Sequence, residues 1–118
     1  MTNEVTRKSR VWVDKTINLE SGQEWDSQVM HIKKGSLVSV DLLSTERVYF
    51  RISKYDEYKI ETKNGKLAYE FPFGSDEKII DDAIKIDSDA DYILIMRLSV
   101  FNGFSRVKLK VEVIDPPS

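Results

Sequence analysis

"DADYILIMRLSVFNGFSRVKLKVEVID", residues 89–115, decides the fold class. In its second half Val107, Leu109, Val111 and Val113 alternate with Arg106, Lys108, Lys110 and Glu112. Successive side chains on a strand point to opposite faces, so this stretch has one face on a core and one in water. Such alternation belongs to antiparallel sheets, because parallel strands are covered on both sides and read as continuous apolar runs. In the first half, Tyr92-Ile93-Leu94-Ile95-Met96-Arg97-Leu98 is apolar on both faces. That predicts a central strand covered on both sides. Asn102-Gly103 tolerates the positive φ of a tight turn, so the two strands are expected to form a hairpin joined at Phe101-Asn102-Gly103-Phe104.

The same period continues toward the N-terminus. Residues 11–19 read as a strand with Val13, Ile17 and Leu19 on one face, and 25–32, 37–43 and 47–53 as further strands. Ser21-Gly22, Lys33-Lys34-Gly35-Ser36 and Ser44-Thr45-Glu46 are the turns between them. Residues 55–89 are less regular. Lys63-Asn64-Gly65-Lys66 marks a hairpin between 59–62 and 67–71, and Phe71-Pro72-Phe73-Gly74 should redirect the chain. Residues 79–86 read as a strand in preference to a helical turn. The sum is roughly eight short strands with turn signals every ~8–12 residues, which predicts an all-β antiparallel sandwich of two sheets. Residues 1–10 are expected to be a flexible arm and 11–115 a single domain, closed by Asp115-Pro116-Pro117-Ser118. Val40, Phe50, Ile52, Leu94, Met96, Leu109 and Val111 are the expected core.

Composition narrows the chemistry. The 118 residues carry a net charge of −2, which favours neither nucleic acid nor an anionic membrane as a partner. There is no cysteine, so disulfides, thiolate zinc sites and cysteine nucleophiles are excluded. One histidine, His31, excludes a multi-histidine metal site within one chain. The polar start MTNEVTRKSR has no apolar h-region, and no apolar run approaches the ~20 residues of a bilayer span. The expectation is a cytoplasmic protein with no integral membrane segment. The five glycines are dispersed and form no phosphate-binding loop.

The order of signals resembles a known family. "LESGQEWDSQVMHIKKGSLVSVDLLS" gives a Gly turn, an aromatic-bearing strand, a Lys-Gly turn and an apolar strand. "RVYFRIS", a variable polar insert and the closing "DADYILIMRLSVFNGFSRVKLKVEVI" follow. Over residues 11–114 this resembles the GOLD-like (p24-type) β-sandwich domains, and most of all their stand-alone archaeal and bacterial modules. Gly35, the strand 92–98 and the Asn102 turn carry the likeness best. The cargo receptors of that family have paired cysteines, a signal peptide and a membrane anchor, none of which is found in this chain. The resemblance therefore implies a non-catalytic interaction module and not a secretory cargo receptor.

No constellation points to catalysis. Asp87-Ser88-Asp89-Ala90-Asp91 lacks the glycine and the bidentate glutamate that an EF-hand loop needs at Tyr92 and Leu98, so it reads as a solvated turn. Asp76, Glu77, Asp81 and Asp82 are an acidic loop or face before they are a catalytic pair. His31 has no nucleophile elbow to serve. Lys33-Lys34 and the Arg106/Lys108/Lys110 face are expected to be solvated. The binding candidates are Trp25, Tyr55, Tyr58, Tyr69 and Phe73, because large rigid rings give contact area at small entropic cost. The function expected is a non-enzymatic protein–protein interaction module, binding a protein partner or a second copy of itself, with no cofactor, metal or nucleic acid and no small-molecule ligand. The alternative is a carbohydrate- or small-ligand-binding sandwich that uses those aromatics.

Overall fold

The computed structural model describes residues 8–58, 74–98 and 103–117. Seven strands among them form one antiparallel sheet: β1 (Ser9–Glu20), β2 (Glu24–Asp26), β3 (Met30–Ile32), β4 (Leu37–Lys54), β5 (Gly74–Lys85), β6 (Ala90–Leu98) and β7 (Phe104–Ile114). The all-β antiparallel class holds, and the strand expected at 79–86 is found over 79–85, as the second half of β5. Where about eight strands in two sheets were expected, the seven described here belong to a single hydrogen-bonded sheet. The expected hairpin at Lys63–Lys66, the Phe71–Gly74 break and Asn102 lie in whole or part outside the described residues, as do Tyr69 and Phe73. β1 begins at Ser9, two residues into the expected arm, because Ser9 and Arg10 pair with Ile114 and Val113.

The 18-residue β4 organises the rest. β5 follows one of its edges, pairing at residues 37–43 and again at 48–51. Its other edge is shared: β7 takes 37–44 and β6 takes 48–54. Val48 stands opposite Leu98, and Ser44 stands opposite Val107. β6 and β7 are both antiparallel to β4 and so run end to end in the same direction. This corrects the expected hairpin, since the described residues of β6 and β7 do not pair with each other. A turn dipeptide permits reversal but does not choose a partner, and β4 is long enough to offer each strand its own stretch.

The Ser44-Thr45-Glu46 turn is also corrected. The chain stays extended there and takes up the extra residues as a bulge, where the register with β5 jumps between Leu43 and Val48. Ser105 fills the gap: its hydroxyl lies 2.5 Å from Ser44 Oγ and 3.0 Å from Thr45 Oγ1, and accepts from the Glu46 amide at 3.1 Å. A second bulge, between Val11 and Val13, turns both Trp12 and Val13 to the core. The expected strand 25–32 is split because Ser27 substitutes for the ladder, its hydroxyl accepting from the Leu94 amide at 2.8 Å.

The sheet curls until its two ends almost meet, so it is nearly closed as a barrel. Side chains bridge the remaining gap: Trp12 Nε1 donates to the Gln28 carbonyl at 2.8 Å, and an Arg10 guanidinium nitrogen to the His31 carbonyl at 3.2 Å. The interior is filled by Val38, Val40, Leu42, Phe50, Ile52, Leu94, Met96, Val107, Leu109 and Val111, among others, which includes every expected core residue. At the Lys33–Ser36 turn Gly35 adopts φ +91°, and a Cβ there would stand 3.3 Å from Pro116. The positive φ favours glycine at this position, and the approach of Pro116 leaves a larger residue little room. No helix among the described residues is long and apolar enough to cross a membrane.

Candidate functional site

Two parts of the outer surface gather the chemistry. One lies where β2 flanks β6. Glu24 stands opposite Arg97 and Asp26 opposite Ile95, and residues 55–58 form one helical turn nearby. The Tyr58 hydroxyl lies 2.7 Å from Asp26 Oδ2 and 3.0 Å from Glu24 Oε2. It has one proton for two carboxylates. Burial, followed by the hydrogen bond to Asp26, raises the phenol above its ordinary value. Burial, followed by the neighbouring Asp26 charge, likewise pushes the Glu24 carboxyl above its usual range, while Tyr58 and Arg97 pull it back. Arg97 also lies 5.6 Å from the Tyr49 ring. These contacts tie the helical turn to β2.

This is where the structure places three of the sequence candidates. Tyr55 and Tyr58 meet edge to face, with centroids 6.5 Å apart and planes at 75°. They do not form the parallel platform on which a sugar ring stacks. Trp25 sits between Glu24 and Asp26 on the strand and so points the other way, where it packs against the core. The Lys15 ammonium lies 5.5 Å from its ring. Trp25 therefore caps the gap in the barrel and does not join the tyrosines. Sequence reasoning missed Glu24 and Asp26. The signal available was the alternation Glu-Trp-Asp, two carboxylates on the face opposite a core ring.

The second surface is the outer face of β1, β7, the first half of β4, and β5. Cross-strand registers lay it out as rows. Thr16, Lys108, Leu43 and Ile79 form one row, and Asp14, Lys110, Asp41 and Asp81 the next. Leu43 and Ile79 are 56% and 66% exposed, side by side, with the charged residues of the next row beside them. Beside them runs a groove of about 360 Å³ lined also by Leu42, Ile80, Asp14, Asp41, Asp81, Lys108 and Lys110. Lys110 hydrogen-bonds Glu112 at 3.1 Å, and that contact raises its ammonium above its ordinary value. The Lys108/Lys110 face is thus solvated, as expected, but it borders an apolar pair that neither residue advertises alone. Leu43 and Ile79 are 36 positions apart, and only the β4–β5 register joins them.

The remaining candidates have local partners. Asp89 Oδ1 accepts from the Lys34 amide at 2.5 Å, and Asp91 pairs with exposed His31 at 2.9 Å. The first contact holds the Lys33–Ser36 turn beside the start of β6, and the second joins β3 to β6. Among the described residues no three acidic or histidine side chains gather as a metal site. No protein-family model and no curated protein sequence matches the chain.

Proposed function

We propose that this chain is a non-catalytic protein–protein interaction module of the GOLD-like kind, its bent sheet acting as a two-layered sandwich, and that it docks its partner on the outer face of β4 and β5. The observation that carries this reading is the exposed Leu43–Ile79 pair beside its groove. Exposed apolar residues are ordinary when scattered. A contiguous pair rimmed by Asp14, Asp41, Asp81 and Lys108 has the anatomy of a contact: an apolar centre and a charged rim. The carbohydrate alternative has weaker support, because the tyrosine rings cross at 75° and the Tyr58 hydroxyl is already engaged.

The test is capture of protein partners by the immobilised chain and by its Leu43→Asp variant. Leu43 is exposed, so the variant should melt within a few degrees of the parent while losing the captured partner. Equal capture by both proteins would refute the docking surface.

A further inference from the structure

β5 is an edge strand of 12 residues, paired among the described residues only with β4. Its ladder with β4 is unbroken over 79–85, and it contains no proline. An edge strand of this length presents a row of backbone donors and acceptors to any other strand. Lys78, Ile79, Asp81, Asp82 and Ala83 are all exposed along it.

We infer that the partner of this surface is a second copy of the chain, joined β5 to β5 across a two-fold axis at Ile80. The inference rests on the docking face proposed above and names its occupant.

Symmetry and charge together select the register. Opposed residues in an antiparallel pair share a face, and hydrogen-bonded pairs alternate with non-bonded ones. A two-fold axis normal to the sheet must therefore pass through a residue that opposes itself. Centring on Lys78, Asp81 or Asp82 sets like charges directly opposite, and centring on Ile79 sets Lys78 opposite Ile80, with no acidic partner. Centring on Ala83 uses little more than 81–85 of the strand. Centring on Ile80 uses 75–85, places Lys78 opposite Asp82 twice, and opposes no like charges. On the outer face it brings the two Ile79 side chains to diagonal positions across the axis, covering the most exposed part of the apolar pair.

The test is the mass of the whole chain in solution by sedimentation equilibrium or light scattering at tens of micromolar. The expected result is a dimer for the parent. Asp82→Lys, which sets lysine against lysine, should weaken association roughly tenfold or more. The double reversal Lys78→Asp/Asp82→Lys should restore it, because the reversed pairs form only between copies in this register. Thermal melts confirm that each variant is folded. A monomeric parent would overturn the homodimer, and the Leu43→Asp capture would still decide whether the face binds another protein. A dimer that survives Asp82→Lys would overturn the β5 contact, and a folded double variant that stays monomeric would overturn the register.

Discussion

In the first half of β4, residues 37–44, Val38, Val40, Leu42 and Ser44 are buried while Asp41 and Leu43 face water. In the second half, residues 48–54, the alternation disappears: Phe50, Arg51, Ile52 and Ser53 are all buried. Across from it on β6, Ile93 and Ile95 are 5% and 1% exposed although neither belongs to the barrel core. One strand thus has an outward face that is solvated at one end and covered at the other. Which face is buried does not depend on strand pattern alone. The outward face can be buried as well as the inward one, and the sequence records this by losing its period-two alternation, as in Tyr92–Leu98.

The sharpest way to break this comparison is to truncate one residue from each environment. Leu94→Ala inside the barrel and Ile95→Ala on the covered outer face should each cost about 2–5 kcal/mol in denaturant unfolding. Leu43→Ala on the open face should change stability by no more than about 0.5 kcal/mol. If Ile95→Ala behaves like Leu43→Ala, the outer face of the second half is solvated and the contrast fails.

A smaller effect tests the joint between the halves. Ser105→Ala removes the acceptor of the Glu46 amide and a partner of Ser44 Oγ at the bulge. The expected loss is about 0.5–1.5 kcal/mol, the net worth of a hydrogen bond, because Ser44 Oγ and the Glu46 backbone still bond each other. No loss would mean that the bulge keeps its shape without the Ser105 plug.

The smallest effect concerns the helical turn beside the second half. The Tyr58 phenol is harder to ionise in the fold than in the unfolded chain, so its contribution is fully present below the ordinary phenol range and fades as pH rises through its higher folded value. In an alkaline titration the Tyr58 phenol should ionise late, and Tyr58→Phe should delete that step. The substitution itself should cost under about 1 kcal/mol at neutral pH, because the site is partly solvated. Glu24 has the opposite sign from a salt-bridged carboxylate. Its raised carboxyl favours the fold when protonated and loses that contribution as pH rises through the folded value, so Glu24→Gln should leave the neutral melting midpoint unchanged or higher. A fall in that midpoint would show that the Tyr58 and Arg97 contacts outweigh burial.

These contrasts also mark how far the chain could be read. The core was legible because Val107, Leu109 and Val111 repeat at period two and β6 has no polar face. The partner of β7 was not legible. Asn102-Gly103 is a local signal, whereas the pairing of Val107 with Ser44 is settled by residues 63 positions away. The Tyr58–Asp26 contact, 32 positions apart, and the Leu43–Ile79 pair were hidden for the same reason. Alternation tells which way a side chain points, but only topology tells what stands beside it.

The place of β7 between β1 and β4 has a consequence for how the chain acquires its structure. Ile114 stands opposite both Ser9 and Leu37, so the final strand is the clasp for the first. During synthesis β1 leaves the ribosome long before β7, its ladder partner among the described residues. Its apolar residues must wait while β4, β5 and β6 assemble, and the ordering of nearly the whole chain precedes the pairing that rewards it. Topologies dominated by such distant pairings fold in roughly milliseconds to seconds, orders of magnitude slower than helical bundles of similar size. Damage to β7 would therefore detach the whole of β1 from β4, whereas damage to β2 or β3 would open only a short margin of β6.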